Sequence, residues 1–224
     1  MSVFYIYQHV PKCGGKSFRQ ACRNYFHLVV ERPPQVADTG KWEAFLREKV
    51  DFDALPEDTM ICGHLIKDGI RPRERYAEEF ARHDVRVVTV LREPRERAIS
   101  SYFFARQQGK PFEGTVDDRL ASMKNPMAKF LGFKGGDADA FLREYFFVGV
   151  TEHMQKSLDL FAHLLGRDRI EAPRVNVTKV KENKVRPETI ELFEKNNDLD
   201  YALYRGAVKL LRERCLAELG VSID

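Results

Sequence analysis

Phe4-Tyr5-Ile6-Tyr7, running into His9-Val10-Pro11-Lys12-Cys13-Gly14-Gly15-Lys16-Ser17-Phe18, is the stretch on which the reading of this chain turns. The aromatic and β-branched run predicts a buried strand, the paired glycines a tight turn, and the residues from Ser17 onward a helix. That order leaves free backbone N–H groups at the helix start, where Lys12 and Lys16 add positive charge. Such a site takes a phosphate or sulfate group. The ending Gly15-Lys16-Ser17 fits a Walker A loop, but Val10 stands where that motif opens with glycine, so a kinase or NTPase is the second choice.

Outward from this stretch, the pattern alternates strand and helix. The first helix is expected over 16–27, a short strand over 28–30, a helix over 41–50 and a second buried strand over 59–62. An exposed helix is expected over 71–81. Residues 85–91, Val-Arg-Val-Val-Thr-Val-Leu, form the strongest strand, which Arg92-Glu93-Pro94 ends. A helix over 95–108 follows, with Ala98, Ile99, Tyr102 and Phe103 spaced for one apolar face. Shorter helical pieces are expected over 115–131 and 137–145, a strand over 146–150, an amphipathic helix over 153–165, and closing helices over 187–196 and 198–219. The alternation predicts an α/β fold, with a mainly parallel central sheet between helical layers in the P-loop-like manner. A length of 224 residues suits one domain, 1–224.

The formal charge is only +3, too small for a dedicated nucleic-acid binder. It is unevenly spread: the segment 167–186 carries seven Lys/Arg against three acids. This segment is either a solvated basic loop or a rim for an anionic ligand. Cys13, Cys22, Cys62 and Cys215 form no CxxC pair and no zinc-like spacing with the six histidines, so a reducing compartment and no structural metal are expected. The chain shows no leader-like n-region or h-region and no apolar run of membrane-spanning length, which predicts a soluble, cytoplasmic protein. Asn176-Val177-Thr178 matches a glycosylation sequon, but nothing else in the sequence points to secretion.

Two segments narrow the phosphate-loop reading. Val90-Leu91-Arg92-Glu93-Pro94-Arg95-Glu96-Arg97-Ala98-Ile99-Ser100-Ser101-Tyr102 resembles the 3′-phosphate motif of PAPS-dependent sulfotransferases, an Arg followed eight positions later by a Ser. The loop Pro11 to Phe18 resembles their 5′-phosphosulfate loop. Phe147-Val148-Gly149-Val150-Thr151-Glu152 and Asn196-Asn197-Asp198-Leu199-Asp200-Tyr201-Ala202-Leu203-Tyr204 are similar to the carbohydrate branch that includes heparan sulfate 2-O-sulfotransferase. The resemblance implies PAPS as cofactor, PAP as product and a hydroxyl of a carbohydrate-type acceptor, with no metal in the transfer. It implies cofactor binding by Lys12, Cys13, Gly14, Gly15, Lys16, Ser17, Phe18, Arg92 and Ser100. Lys12 is placed at the oxygen that leaves with the 5′-phosphate. Many members carry Thr where this chain has Cys13 and Lys16.

Removal of the acceptor's proton needs a base. His64, in Ile61-Cys62-Gly63-His64-Leu65, resembles the Gly-His segment that supplies it in the 2-O-sulfotransferase branch, and imidazole titrates near neutrality. His9 is the fallback, with Glu93 and Glu152 behind it. Gly149 to Glu152 and the basic stretch 179–186 are expected on the nucleotide side. Two rival functions remain: a P-loop kinase-like phosphotransferase, which would need magnesium, and a non-catalytic nucleotide- or glycan-binding module. The sequence names neither the acceptor nor the oligomeric state.

Overall fold

A computed structural model describes residues 3–31, 39–63, 71–109, 113–173 and 185–223. Five strands, β1 (Val3–Gln8), β2 (His27–Glu31), β3 (Thr59–Gly63), β4 (Asp84–Leu91) and β5 (Phe147–Val150), form one sheet in the order β2-β3-β1-β4-β5. Every pairing is parallel; at the centre, Ile6 of β1 lies between Ile61 of β3 and Val87 of β4. Both faces of a parallel sheet are covered, so its strands need apolar side chains on both sides. This is why β1 reads as an unbroken aromatic and aliphatic run.

The helices are α1 (Gly15–Cys22), α2 (Thr39–Arg47), α3 (Pro72–Arg75), α4 (Ala77–Arg82), α5 (Pro94–Gln107), α6 (Val116–Ser122), α7 (Pro126–Leu131), α8 (Ala138–Arg143), α9 (Met154–Leu165), α10 (Pro187–Asn196) and α11 (Asp198–Leu219). Tyr5 and Tyr7 point to one face and join Phe18 of α1, Phe161 of α9 and Leu203 of α11 in the main core. Phe4 and Ile6 point to the other and meet Phe52 and Tyr76. The expected three-layer α/β architecture is therefore present. A third cluster, with Ala98, Ile99, Tyr102, Leu120 and Phe193, ties α5, α6 and α10 together away from the sheet.

Most element ends shift by one to three residues from the pattern-based expectation, and three differences have a clear physical cause. Helix α1 stops at Cys22, because the chain must turn before β2 starts at His27, and Phe26 packs on Tyr5 at 4.8 Å. The helix expected over 71–81 is two: Tyr76 leaves helical geometry (φ −113°) with its ring fully buried against Phe52. Residues 115–131 also break in two, at Asn125 with φ 49°.

That last break is built by a reciprocal pair of caps. The Asn125 side-chain oxygen accepts from Leu199 N–H and Asp200 N–H, both at 3.1 Å, at the start of α11. The Asp200 carboxylate in turn accepts from Met127 N–H (3.0 Å) and Ala128 N–H (2.7 Å) at the start of α7. Each side chain satisfies amides that its partner helix cannot bond internally. Asp200 is 1% exposed, and burial pushes its carboxyl above the usual range despite those two donors.

Candidate active site

The chain runs from β1 out to β2, back to β3 beside β1, and then across to β4 on the other side. The order reverses at β1, and open α/β sheets bind ligands outside the carboxyl ends of the strands at that crevice. The loop 9–14 leaves β1 there, and Arg92 leaves β4 beside it. Lys12 (φ 70°) and Gly14 (φ 69°) both adopt the left-handed conformation, which folds the loop under the start of α1. Two close packings hold it. A Cβ on Gly15 would come within 1.7 Å of His9 Nε2, so the His9 ring lies against this glycine. A Cβ on Gly14 would come within 2.7 Å of the Met154 terminal methyl, so α9 presses on the loop from the β5 side.

The start of α1 is left open. Its first internal bond runs from Phe18 N–H to the Gly14 carbonyl at 3.0 Å, so the Gly15, Lys16 and Ser17 amides precede the hydrogen-bonded ladder. No side chain caps them and no acid stands in the first turn. By contrast α5 is capped internally, the Glu93 carboxylate accepting from Glu96 N–H at 2.6 Å. At the crevice itself, between β1 and β4, the start of α1 thus offers donors that no side chain caps among the described residues, and no acid opposes its dipole.

Cations collect around it. Lys12 Nζ lies 3.8 Å from the centroid of the Phe104 ring. Partial burial, then the charges of Lys16, Arg92 and Arg97, push its ammonium below the ordinary lysine value. Arg92 donates from Nη1 to the Lys12 carbonyl at 3.5 Å, and Glu96 (3.5 Å) and Glu152 (3.9 Å) flank its guanidinium. Arg97, Ser100 and Phe104 succeed one another at i, i+3 and i+7 along α5, and Arg97 and Phe104 both act on Lys12. This spacing sets Ser100 on the stripe that faces the loop, buried and without a hydrogen bond among the described residues.

Two expected loop contacts take a different form. Cys13 is fully buried, its Sγ 3.9 Å from Met127 Sδ, and its N–H donates to the Val10 carbonyl at 3.3 Å. Burial pushes its thiol up to about 12, so the thiol is inert packing and the amide is already bonded. Phe18 likewise faces the core, with its ring 4.8 Å from that of Tyr7. Both residues anchor the loop from beneath. The acids considered as reserve bases frame Arg92: Glu152 accepts from Glu93 N–H at 3.1 Å, and Tyr201 donates its hydroxyl to Glu93 at 3.0 Å. Desolvation pushes the Glu152 carboxyl up. β3 ends at Gly63, whose carbonyl accepts from His9 N–H at 3.2 Å. His64 lies outside the described residues, as does most of the basic stretch 179–186.

Arg97 is the residue that sequence reading passed over. It is 7% exposed, and its Nε and Nη1 have no hydrogen-bond partner among the described residues. Arg92 Nε is unsatisfied in the same way. Burying guanidinium donors without acceptors is unfavourable in the protein alone. An uncapped helix start, mutually repelling cations and orphaned donors together suit an anionic ligand.

Comparison with protein-family models and with curated proteins finds no match. Comparison with solved structures does. The chain is similar to a sulfotransferase from Alicyclobacillus acidocaldarius, with TM-score 0.51 and 14% identity over 92% of this chain and 95% of that one. It is also similar to mouse sulfotransferase SULT7A1 complexed with PAP, with TM-score 0.54 and 14% identity over 92% of this chain and 89% of that one. At this identity the likeness establishes a shared fold: a five-stranded parallel α/β sheet with flanking helices, of the kind found in sulfotransferases.

Proposed function

We propose that this chain is a sulfotransferase that uses PAPS and sulfates a hydroxyl of a carbohydrate-type acceptor in a reducing, cytoplasmic setting. The observation that carries the reading is the uncapped start of α1 facing Lys12, Lys16 and Arg92 at the crevice of a fold shared with sulfotransferases. In this reading the Gly15, Lys16 and Ser17 amides and both lysines hold the 5′-phosphosulfate, and Arg92 and Ser100 hold the 3′-phosphate. PAPS, when bound, supplies a sulfuryl group whose bond to the 5′-phosphate oxygen breaks, leaving the electron pair there, as the acceptor oxygen bonds to sulfur and its proton passes to a base. Lys12 faces the oxygen on which negative charge grows, where a fixed cation lowers the barrier most. His64 is proposed as the base, from the Gly63-His64 resemblance and the near-neutral pKa of imidazole. Four buried thiols without a disulfide suit the reducing setting.

Calorimetry of PAP against ADP, followed by transfer from labelled PAPS to a panel of carbohydrate acceptors, tests the assignment. PAP is expected to bind well and ADP poorly. Arg92→Ala should weaken PAP at least tenfold, because a charge-assisted hydrogen bond contributes about 1.5–3 kcal/mol. Equal affinity of the parent protein for PAP and ADP refutes the assignment.

A further inference from the structure

Along the α7–α8 segment lies a groove of about 1250 Å³, walled by Ala128, Phe133 and Phe141 and by the charged side chains of Arg71, Glu74 and Glu144. Arg97 lines its inner side. This side chain is nine-tenths buried, yet its Nε and Nη1 lack acceptors. The Asp200 carboxylate lies within electrostatic reach of Arg97 but does not accept a hydrogen bond from it among the described residues. Both Asp200 oxygens are engaged by the Met127 and Ala128 amides, and no ion pair joins Asp200 to Arg97 among the described residues. On the opposite side Arg97 raises the positive potential at Lys12 and Cys13 of the loop. The guanidinium thus lines the groove and lies within electrostatic reach of the phosphate loop, with two donors that find no hydrogen-bond acceptor among the described residues.

We infer that Arg97 binds the oxygens of the sulfuryl group itself, holding it at the boundary between the phosphate loop and an acceptor groove. This rests on the PAPS reading above and assigns a contact that PAP, which lacks that group, does not make. The planar fork of arginine suits two oxygens of one tetrahedral oxyanion. The groove supplies the space from which a hydroxyl reaches sulfur on the side opposite the phosphate. A buried guanidinium without acceptors is tolerated in the free protein because the ligand, rather than the fold, completes it.

The test is calorimetry of PAPS and PAP, without acceptor, on the parent, Arg97→Gln and Arg97→Lys, with thermal unfolding of each ligand-free protein. The parent should bind PAPS about tenfold more tightly than PAP, the value of one charged hydrogen bond. Arg97→Gln should lose that preference: PAP affinity falls modestly, because Arg97 adds to the positive potential at the phosphate loop, and PAPS affinity falls about tenfold further. Arg97→Lys, which keeps the charge without the fork, should retain part of it. The ligand-free Arg97→Gln protein should melt no lower than the parent, since it removes a buried guanidinium with unsatisfied donors. If Arg97→Gln does not fold, the ratio in Arg97→Lys decides. An unchanged PAPS preference, a parent that shows none, or equal losses for PAPS and PAP overturns the inference. A parent that fails to prefer PAP to ADP overturns the underlying reading instead.

Discussion

Replacing Gly15 by alanine tests the geometry of the phosphate loop at its tightest point. The new methyl would lie 1.7 Å from His9 Nε2, 2.2 Å from Cδ2 and 2.5 Å from Cε1, so the ring has to leave its place. That ring stacks on Tyr7 at 5.4 Å, and its displacement disturbs the end of β1. Overpacking of this kind costs about 1–3 kcal/mol. Alanine also favours the helix, returning at most about 1 kcal/mol. With that gain subtracted, the steric effect leaves a net cost of up to about 2 kcal/mol, which lowers the melting temperature of a chain this size by up to roughly 8 °C. The assay is a double-mutant cycle by thermal unfolding with parent, Gly15→Ala, His9→Ala and the double variant. With the ring removed, Gly15→Ala should become neutral or slightly stabilising, giving a coupling of about 1–3 kcal/mol. PAP affinity should fall in Gly15→Ala and recover in the double variant, because the Gly15 amide belongs to the open helix start. If Gly15→Ala costs the same with and without His9, the ring does not occupy the space above this glycine and the reasoning fails.

Lys12→Ala should reduce turnover far more than PAP affinity, since its charge matters most where the leaving oxygen becomes anionic; single-turnover transfer at the parent rate would remove Lys12 from the chemistry. The same residue sets a pH dependence. Its pKa lies below 10.5 in the free protein, and a bound phosphate raises it, so PAP binding takes up a proton at alkaline pH. Affinity should weaken as pH rises through the lowered pKa, and calorimetry in buffers of different ionisation enthalpy should find an uptake that Lys12→Ala abolishes. His64→Ala should lose about 10²–10⁴ in turnover with PAP binding within a few-fold, and the parent rate should rise with pH through an imidazole pKa; retained activity in His64→Ala together with loss in His9→Ala would reassign the base. Asp200→Ala strands two amide donors at the start of α7 and should destabilise the protein by about 1–3 kcal/mol, read by chemical denaturation.

The strands and long helices were legible in the sequence because parallel sheets demand continuous apolar runs, and Val-Arg-Val-Val-Thr-Val-Leu at 85–91 serves little else. The phosphate loop was legible from Gly14-Gly15 between such a run and a helix. The break at Tyr76 was hidden, since a buried aromatic inside a charged segment reads equally well as one helix. Cys13 and Phe18 were assigned to the cofactor by position in the motif, whereas their side chains point down into the core. Arg97 escaped notice because Arg92, Arg95 and Arg97 look alike in one dimension, and only the packing of α5 decides which is buried. Its spacing from Ser100 and Phe104 was the available clue.

The crossed caps of Asn125 and Asp200 have a further consequence for cooperativity. Because each side chain closes the other's helix, across 75 residues of sequence, α7 cannot fray at Met127 without freeing the carboxylate beside α11. The wall of the groove and the first turn of the C-terminal helix therefore open as one unit rather than as separate local fluctuations. The amides of Met127 and Ala128 should exchange with solvent hydrogen in step with those of Leu199 and Asp200, and a lesion near residue 200 will be felt as a softened groove wall.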